Sequence, residues 1–193
     1  MKVRILSRLP LLFLTMLTLA SSALGSPLPL GIWNQFGFSD AGTLATGCDP
    51  ADPSGPFCIP SGGTPTSFLG TPPWTFNSVS GSVLTVTDAF EAGDRFRVFD
   101  FGGSLGLTSL PLGSSNCGDD PVPCLADPNI SHGQFLLAAG PHSLTIVPTL
   151  APSGGGTGFL IVEAATTPVP EPATYALLAT SLFALIFARR RPQ

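Results

Sequence analysis

Three acidic side chains crowd one short stretch of the chain, Asp88-Ala89-Phe90-Glu91-Ala92-Gly93-Asp94. A calcium ion takes six to eight oxygen ligands and mixes carboxylates with loop carbonyls, and a turn of this composition could offer both. Asp88, Glu91 and Asp94 are therefore candidate ligands of a structural calcium ion. A second acidic loop carries Asp119, Asp120 and Asp127 among prolines. Neither loop follows the EF-hand spacing or a calcium-binding nonapeptide repeat, so the plainer reading is a pair of acidic, solvated loops. A glycosidase pair drawn from Asp88, Glu91 and Asp94 is weaker still, because carboxylates in a hairpin turn ordinarily form the turn and face water.

Nucleophilic chemistry finds less support. The only two histidines, His132 and His142, lie beside Ser131 and Ser143. Adjacency in a strand points neighbours to opposite faces, so neither pair is a ready nucleophile and base. No nucleophile elbow is legible, and no cysteine looks free. Catalytic residues are accordingly assigned to none, and the chain is expected not to be an enzyme. For sugar binding, which stacks C–H faces on aromatic rings, Trp74 is the candidate: it follows Pro72-Pro73 at a strand start beside a loop. A buried or rim-packing Trp74 is the plainer reading; Trp33 is expected in the core or on a sheet face, and phenylalanines of alternating strands in the core.

The elements that position these residues read as β. Helical periodicity is missing from the central part of the chain, and glycine and proline punctuate short alternating apolar runs. Strands are predicted at 31–38, 74–79, 82–88, 95–101, 133–138, 142–148 and 157–164. Leu84 and Val86 fall on one face of their strand, opposite Val83, Thr85 and Thr87; Phe96 and Val98 oppose Arg95, Arg97 and Phe99. Gly93-Asp94 and Ala139-Gly140-Pro141 are turn signals, and Pro152 to Gly156 reads as a flexible loop before the last strand. With long loops at 42–72 and 110–131, the expected fold class is all-β. The body would be an antiparallel, jelly-roll-like β-sandwich, flanked by an N-terminal signal helix and a single C-terminal transmembrane helix.

Both ends of the sequence read as addresses. Lys2, Arg4 and Arg8 precede an apolar stretch, Leu9 to Ala20, and small residues through Gly25 offer a cleavage site; residues 1–25 are expected to be a secretion signal peptide. At the other end, Val169-Pro170-Glu171-Pro172 leads into an uncharged run, Ala173 to Ala188, closed by Arg189, Arg190 and Arg191. Sixteen residues would span about 24 Å as a helix, short for a bilayer but sufficient if the flanks snorkel or the bilayer thins. The arginines favour leaving that end in the cytoplasm, as a stop to transfer.

This tail resembles the PEP-CTERM sorting signal of exported Gram-negative bacterial proteins. The residues that carry the likeness are Val169 to Pro172, the Ala176-Leu177-Leu178 start of the apolar run, and Arg189 to Arg191. The resemblance implies processing near Pro-Glu-Pro by an exosortase, a membrane-embedded cysteine transpeptidase. It also implies passage through the secretion translocon and signal peptidase. An intermediate anchored in the inner membrane would follow, then display at the cell surface or in an exopolysaccharide matrix. It covers only the last residues, and an ordinary tail anchor is the competing reading. More weakly, TVTDAFEAGDRFRVFDFGGSLGLTS and FLLAAGPHSLTI resemble an uncharacterised type of exported bacterial domain found ahead of such tails, which implies a small β-sandwich and no known activity. The expected domains are thus 1–25, a secreted body at 26–166, and the sorting signal at 167–193.

Export through an oxidising compartment makes disulfides the expected state of Cys48, Cys58, Cys117 and Cys124. Local pairing, Cys48 with Cys58 and Cys117 with Cys124, is favoured because each pair brackets a loop rich in glycine, proline and aspartate. Three connectivities stay open. Zinc is the competitor, but neither spacing is a metal knuckle and neither histidine is spaced with them.

Charge sharpens once the addresses are set apart. Of eight basic residues only Arg95 and Arg97 lie in the body, against eleven acids there, which leaves it at −9 where the whole chain is −4. Such a body has no electrostatic footprint for nucleic acid or anionic lipid and suits divalent cations better. The function expected is that of a non-catalytic surface or matrix protein, associated with exopolysaccharide, without a cofactor unless structural calcium. A carbohydrate- or calcium-dependent binding module is the alternative, and a secreted hydrolase stands behind both.

Overall fold

Short apolar runs become strands wherever the alternation is clean. The computed structural model describes residues 25–56 and 58–165. Its strands are β1 (Ser26–Pro27), β2 (Trp33–Phe38), β3 (Thr66–Phe68), β4 (Trp74–Ser78), β5 (Ser82–Asp88), β6 (Arg95–Asp100), β7 (Gly103–Leu107), β8 (His132–Leu137), β9 (Gly140–Leu150) and β10 (Gly156–Ala164), with one short helix, α1 (Pro121–Ala126), between β7 and β8. They form two five-stranded sheets, in the orders β1-β4-β9-β6-β7 and β3-β2-β10-β5-β8. The signal peptide predicted at 1–25 lies, Gly25 apart, outside the described residues. So do Val169 to Pro172, the helix predicted at 173–188, and Arg189 to Arg191. Among the described residues no helix is long and apolar enough to cross a membrane.

The sandwich differs from the predicted one in two respects. Its sheets are mixed: β1 runs parallel to β4, and β3 parallel to β2, while the remaining pairs are antiparallel. Both parallel partners are edge strands of two or three residues, too short to carry a period of two. Its turns, moreover, mostly carry the chain across from one sheet to the other. The turns at Gly93-Asp94, Ala139 to Pro141, and Pro152 to Gly156 each join strands of opposite sheets, and β6 with β7 is the one hairpin among the described residues.

The inner faces close on an aromatic core. Phe36 and Phe38 from β2, Trp74 from β4 and Phe96 from β6 are 0 or 1% exposed. Phe36 meets Phe96 edge to face at 5.4 Å and Trp74 at 5.7 Å. Leu84, Val86, Val98, Leu144, Ile146, Leu160 and Val162 fill the remainder. This confirms the predicted inward faces of β5 and β6. A second apolar cluster covers the outer face of the β2-β10-β5 sheet: Trp33, Phe159 and Ile161 pack with Ala89, Ile130 and Cys124. Here the long loop before β8 folds over the sheet with α1 as its centre. Asp120 caps that helix by accepting from the Val122 N–H at 3.0 Å, with proline at the first position. On β2, Gly37 sits so near Pro56 that a Cβ would come within 2.2 Å of its ring. The Cys48–Cys58 loop is therefore laid flat against β2.

Candidate functional site

Where β5 leaves its sheet, the chain arches through 89–94 into β6 of the other. Phe90 turns this arch with φ of 59°, a left-handed conformation that costs a non-glycine residue of order 1 kcal/mol. The conformation is held from outside. Phe90 N–H donates to the Gly118 carbonyl at 2.9 Å, Cys117 N–H to Phe90 at 2.8 Å, and Ala92 N–H to Ser115 at 2.8 Å. The Cys117–Cys124 disulfide, Cα–Cα 4.9 Å, ties that bracing segment to α1.

The arch gathers two of the three predicted acids. Asp88 is 0% exposed and Asp94 8%. Asp88 accepts from Ala89 N–H at 2.9 Å through Oδ1 and from Asp94 N–H at 3.2 Å through Oδ2. Burial, and then the negative charge of Asp94, push the Asp88 carboxyl up to about 9. Burial likewise pushes Asp94 up to about 6. No arginine, lysine or histidine pairs with either acid among the described residues, where the one ion pair is His142 with Asp100. Oδ1 of Asp94 is buried and has no hydrogen-bond partner. The predicted solvated hairpin turn is therefore a buried arch, since its two strands belong to different sheets.

Glu91, the third predicted acid, is exposed and bridges to Asn116 through the backbone. Among the described residues no three acids, histidines or cysteines converge as a ready metal cluster. Glu91 instead lines, with Asp94, a cavity of about 330 Å³ completed by Asn116, Ser153, Gly155 and Thr157. The hydroxyl of Thr157, in a residue 2% exposed, also has no partner. Asn116 and the 153–157 stretch are contributions not legible in the sequence, because they lie more than twenty and about sixty residues along the chain from the arch.

The other predicted residues resolve differently. Trp74 is 0% exposed and donates its indole N–H to the Gly70 carbonyl at 2.8 Å; it offers no ring face to a sugar. Asp119 accepts from Gly62 N–H, Asp120 caps α1, and Asp127 accepts from Ser115 Oγ and Asn129 N–H. Those three acids thus close loops. The cysteines pair locally, Cys48 with Cys58 and Cys117 with Cys124, with none free among the described residues. Ser131 Oγ bonds Thr108 and the Ser109 carbonyl, while the His132 ring meets the Ile130 carbonyl, so the two do not face one another. Gly102-Gly103-Ser104-Leu105-Gly106 has the letters of an elbow, but it runs through β7 and not from a strand into a helix. His142 lies 6% exposed against Phe76, with ring centroids 4.8 Å apart.

Comparison with known families identifies a PEP-CTERM protein-sorting motif at residues 168–191. Neither the curated proteins nor the solved structures yield a match to the chain. The motif supports a protein exported, anchored transiently in the membrane and sorted to the cell surface through an exosortase. It begins four residues after the last strand ends at Ala164.

Proposed function

We propose that the protein is a non-catalytic component of the bacterial surface or exopolysaccharide matrix, delivered as a folded, disulfide-stapled sandwich and released from its anchor near Pro170-Glu171-Pro172. The observation that carries this reading is the sorting motif at 168–191, set immediately behind β10. A body that ends so close to the motif is delivered whole by processing there. Two local disulfides suit an oxidising destination. The body's −9 charge, from two basic against eleven acidic residues, suits a hydrated, self-repelling matrix component.

The test is the intact mass of the protein from membrane and medium fractions of cells that naturally make it. Material in the medium or matrix lacking the residues after about Pro170 to Pro172 supports the proposal. A full-length C-terminus found only in membranes overturns it in favour of a permanently anchored surface protein.

A further inference from the structure

Beyond sorting, the arch between β5 and β6 has the composition and geometry of a ligand site. Two carboxyl groups, Asp88 at 0% and Asp94 at 8% exposure, are held in one turn without a cationic partner among the described residues. An uncompensated charge in such a place must be neutralised by a proton or by a cation. Asp88 and Asp94 bond one another through their side chains, which a shared proton serves, but that leaves two further atoms unsatisfied. Asp94 Oδ1 has no donor to accept from, and Thr157 Oγ1, on a different strand and 2% exposed, lacks any partner as well. A hydroxyl and a carboxylate oxygen left without partners beside one cavity are what a bound ion would satisfy. Glu91, Asn116, Ser153 and Gly155 complete the lining, and the Asn116 side-chain oxygen already accepts from Gly118 N–H at 2.9 Å.

We propose that this cavity binds a single calcium ion, with Asp94, Glu91 and Thr157 as side-chain ligands, loop carbonyls completing the shell, and Asp88 placed behind Asp94 to hold its backbone. The available donors are hard oxygens, without sulfur or imidazole, which excludes a preference for zinc or copper. Several come from loops, and such adaptable shells fit calcium better than the strict octahedron of magnesium. The site joins the β5–β6 arch to the loop before β10, so an ion there cross-links the two sheets at one end. Chemistry at this site is independent of the tail, and its failure would leave the sorting proposal untouched.

The experiment uses the full chain in detergent, stripped with chelator and titrated with calcium chloride by calorimetry, with thermal unfolding followed in parallel. The expected result is one saturable ion per chain at about 0.1–1 mM, usual for extracellular calcium modules. An upward shift of the unfolding midpoint by roughly 5 °C at tenfold excess should accompany it. Asp94→Asn should abolish binding, and Thr157→Val should weaken it about tenfold or more. Asp52→Asn, in a different loop, should leave it unchanged. Absence of saturable binding, or binding that survives both Asp94→Asn and Thr157→Val, overturns the site. Should Asp94→Asn fail to fold, the wild-type titration with Thr157→Val decides the matter alone.

Discussion

The two ends of the sandwich handle buried carboxylates in opposite ways. At the end where β9 begins, Asp100 meets His142 Nδ1 at 2.8 Å and Ser143 N–H at 2.9 Å, and His142 Nε2 faces the Ala138 carbonyl at 3.0 Å. Both ring nitrogens thus have a partner, and the carboxylate has a side-chain partner as well as a backbone donor. At the end where β5 finishes, Asp88 has two backbone donors, the two carboxyls bond one another, and Asp94 keeps an oxygen without any partner. Asp88 and Asp94 are the more deeply buried acids, yet theirs is the end with the weaker compensation. A carboxylate whose side-chain partner is built in is a structural strut, whereas one left with an unsatisfied oxygen invites a proton or an ion from outside.

Breaking the closed end should have the largest effect. His142→Ala leaves Asp100 without its partner and opens space against Phe76. Leaving a largely buried carboxylate without its hydrogen-bond partner costs about 1–3 kcal/mol, and the lost ring contact adds to it, so a loss of about 3 kcal/mol is expected, measurable by urea unfolding. The calcium response of the opposite end should be unchanged. Next in size is the disulfide that braces the arch. Replacing Cys117 and Cys124 together by alanine opens a short ring, for which chain entropy predicts a loss of about 2.5 kcal/mol. Because Phe90 and Ala92 hang from the 115–118 segment, this variant should also weaken calcium binding, which the same titration detects.

The open end should also betray itself through pH. In chelator, Asp88 and Asp94 titrate at about 9 and about 6 when folded, against an ordinary 3.8. Between about pH 4 and 9 the folded protein therefore holds protons that the unfolded chain has already released. The sign follows: stability falls as pH rises through this window, first as Asp94 loses its proton and later as Asp88 does. Urea midpoints collected across that range in chelator should decline. With saturating calcium the decline should flatten, because the ion replaces the proton as the compensating charge.

How much of this was legible in the sequence depends on the range over which each signal acts. Inward Leu84, Val86, Phe96 and Val98 follow from alternation within single strands. Local cysteine pairing followed from loop composition, and the sorting tail from consecutive residues. Gly93-Asp94 marks a turn, yet nothing in a turn says whether its strands will pair or part. Whether Asp88 and Asp94 face water or the core rests on that choice, which is made by pairing with β8, β9 and β10, more than forty residues along the chain. The outer cluster is similar. Phe159-Leu160-Ile161-Val162 is a continuous apolar run, the mark of a strand covered on both faces, but the cover comes from Ile130 and Cys124 in a loop. Trp74 is ambiguous in sequence for a related reason: its neighbouring prolines suit an exposed loop, whereas β1 and β9 flank it on both sides.

The smallest change should be the most discriminating. Thr157→Val keeps the shape of the side chain and removes one hydroxyl that has no partner. In chelator the substitution deletes a buried, unsatisfied polar atom and should leave stability unchanged or raise it by up to about 1 kcal/mol. In calcium the same hydroxyl is a ligand, so its loss should lower the unfolding midpoint relative to wild type. A residue of merely structural importance cannot reverse sign with the presence of an ion. Thermal unfolding of the two proteins under both conditions yields four midpoints. Their crossing would establish that the open end of the sandwich is built to be closed by calcium, and parallel shifts would show that the hydroxyl and the carboxylate do not share a ligand.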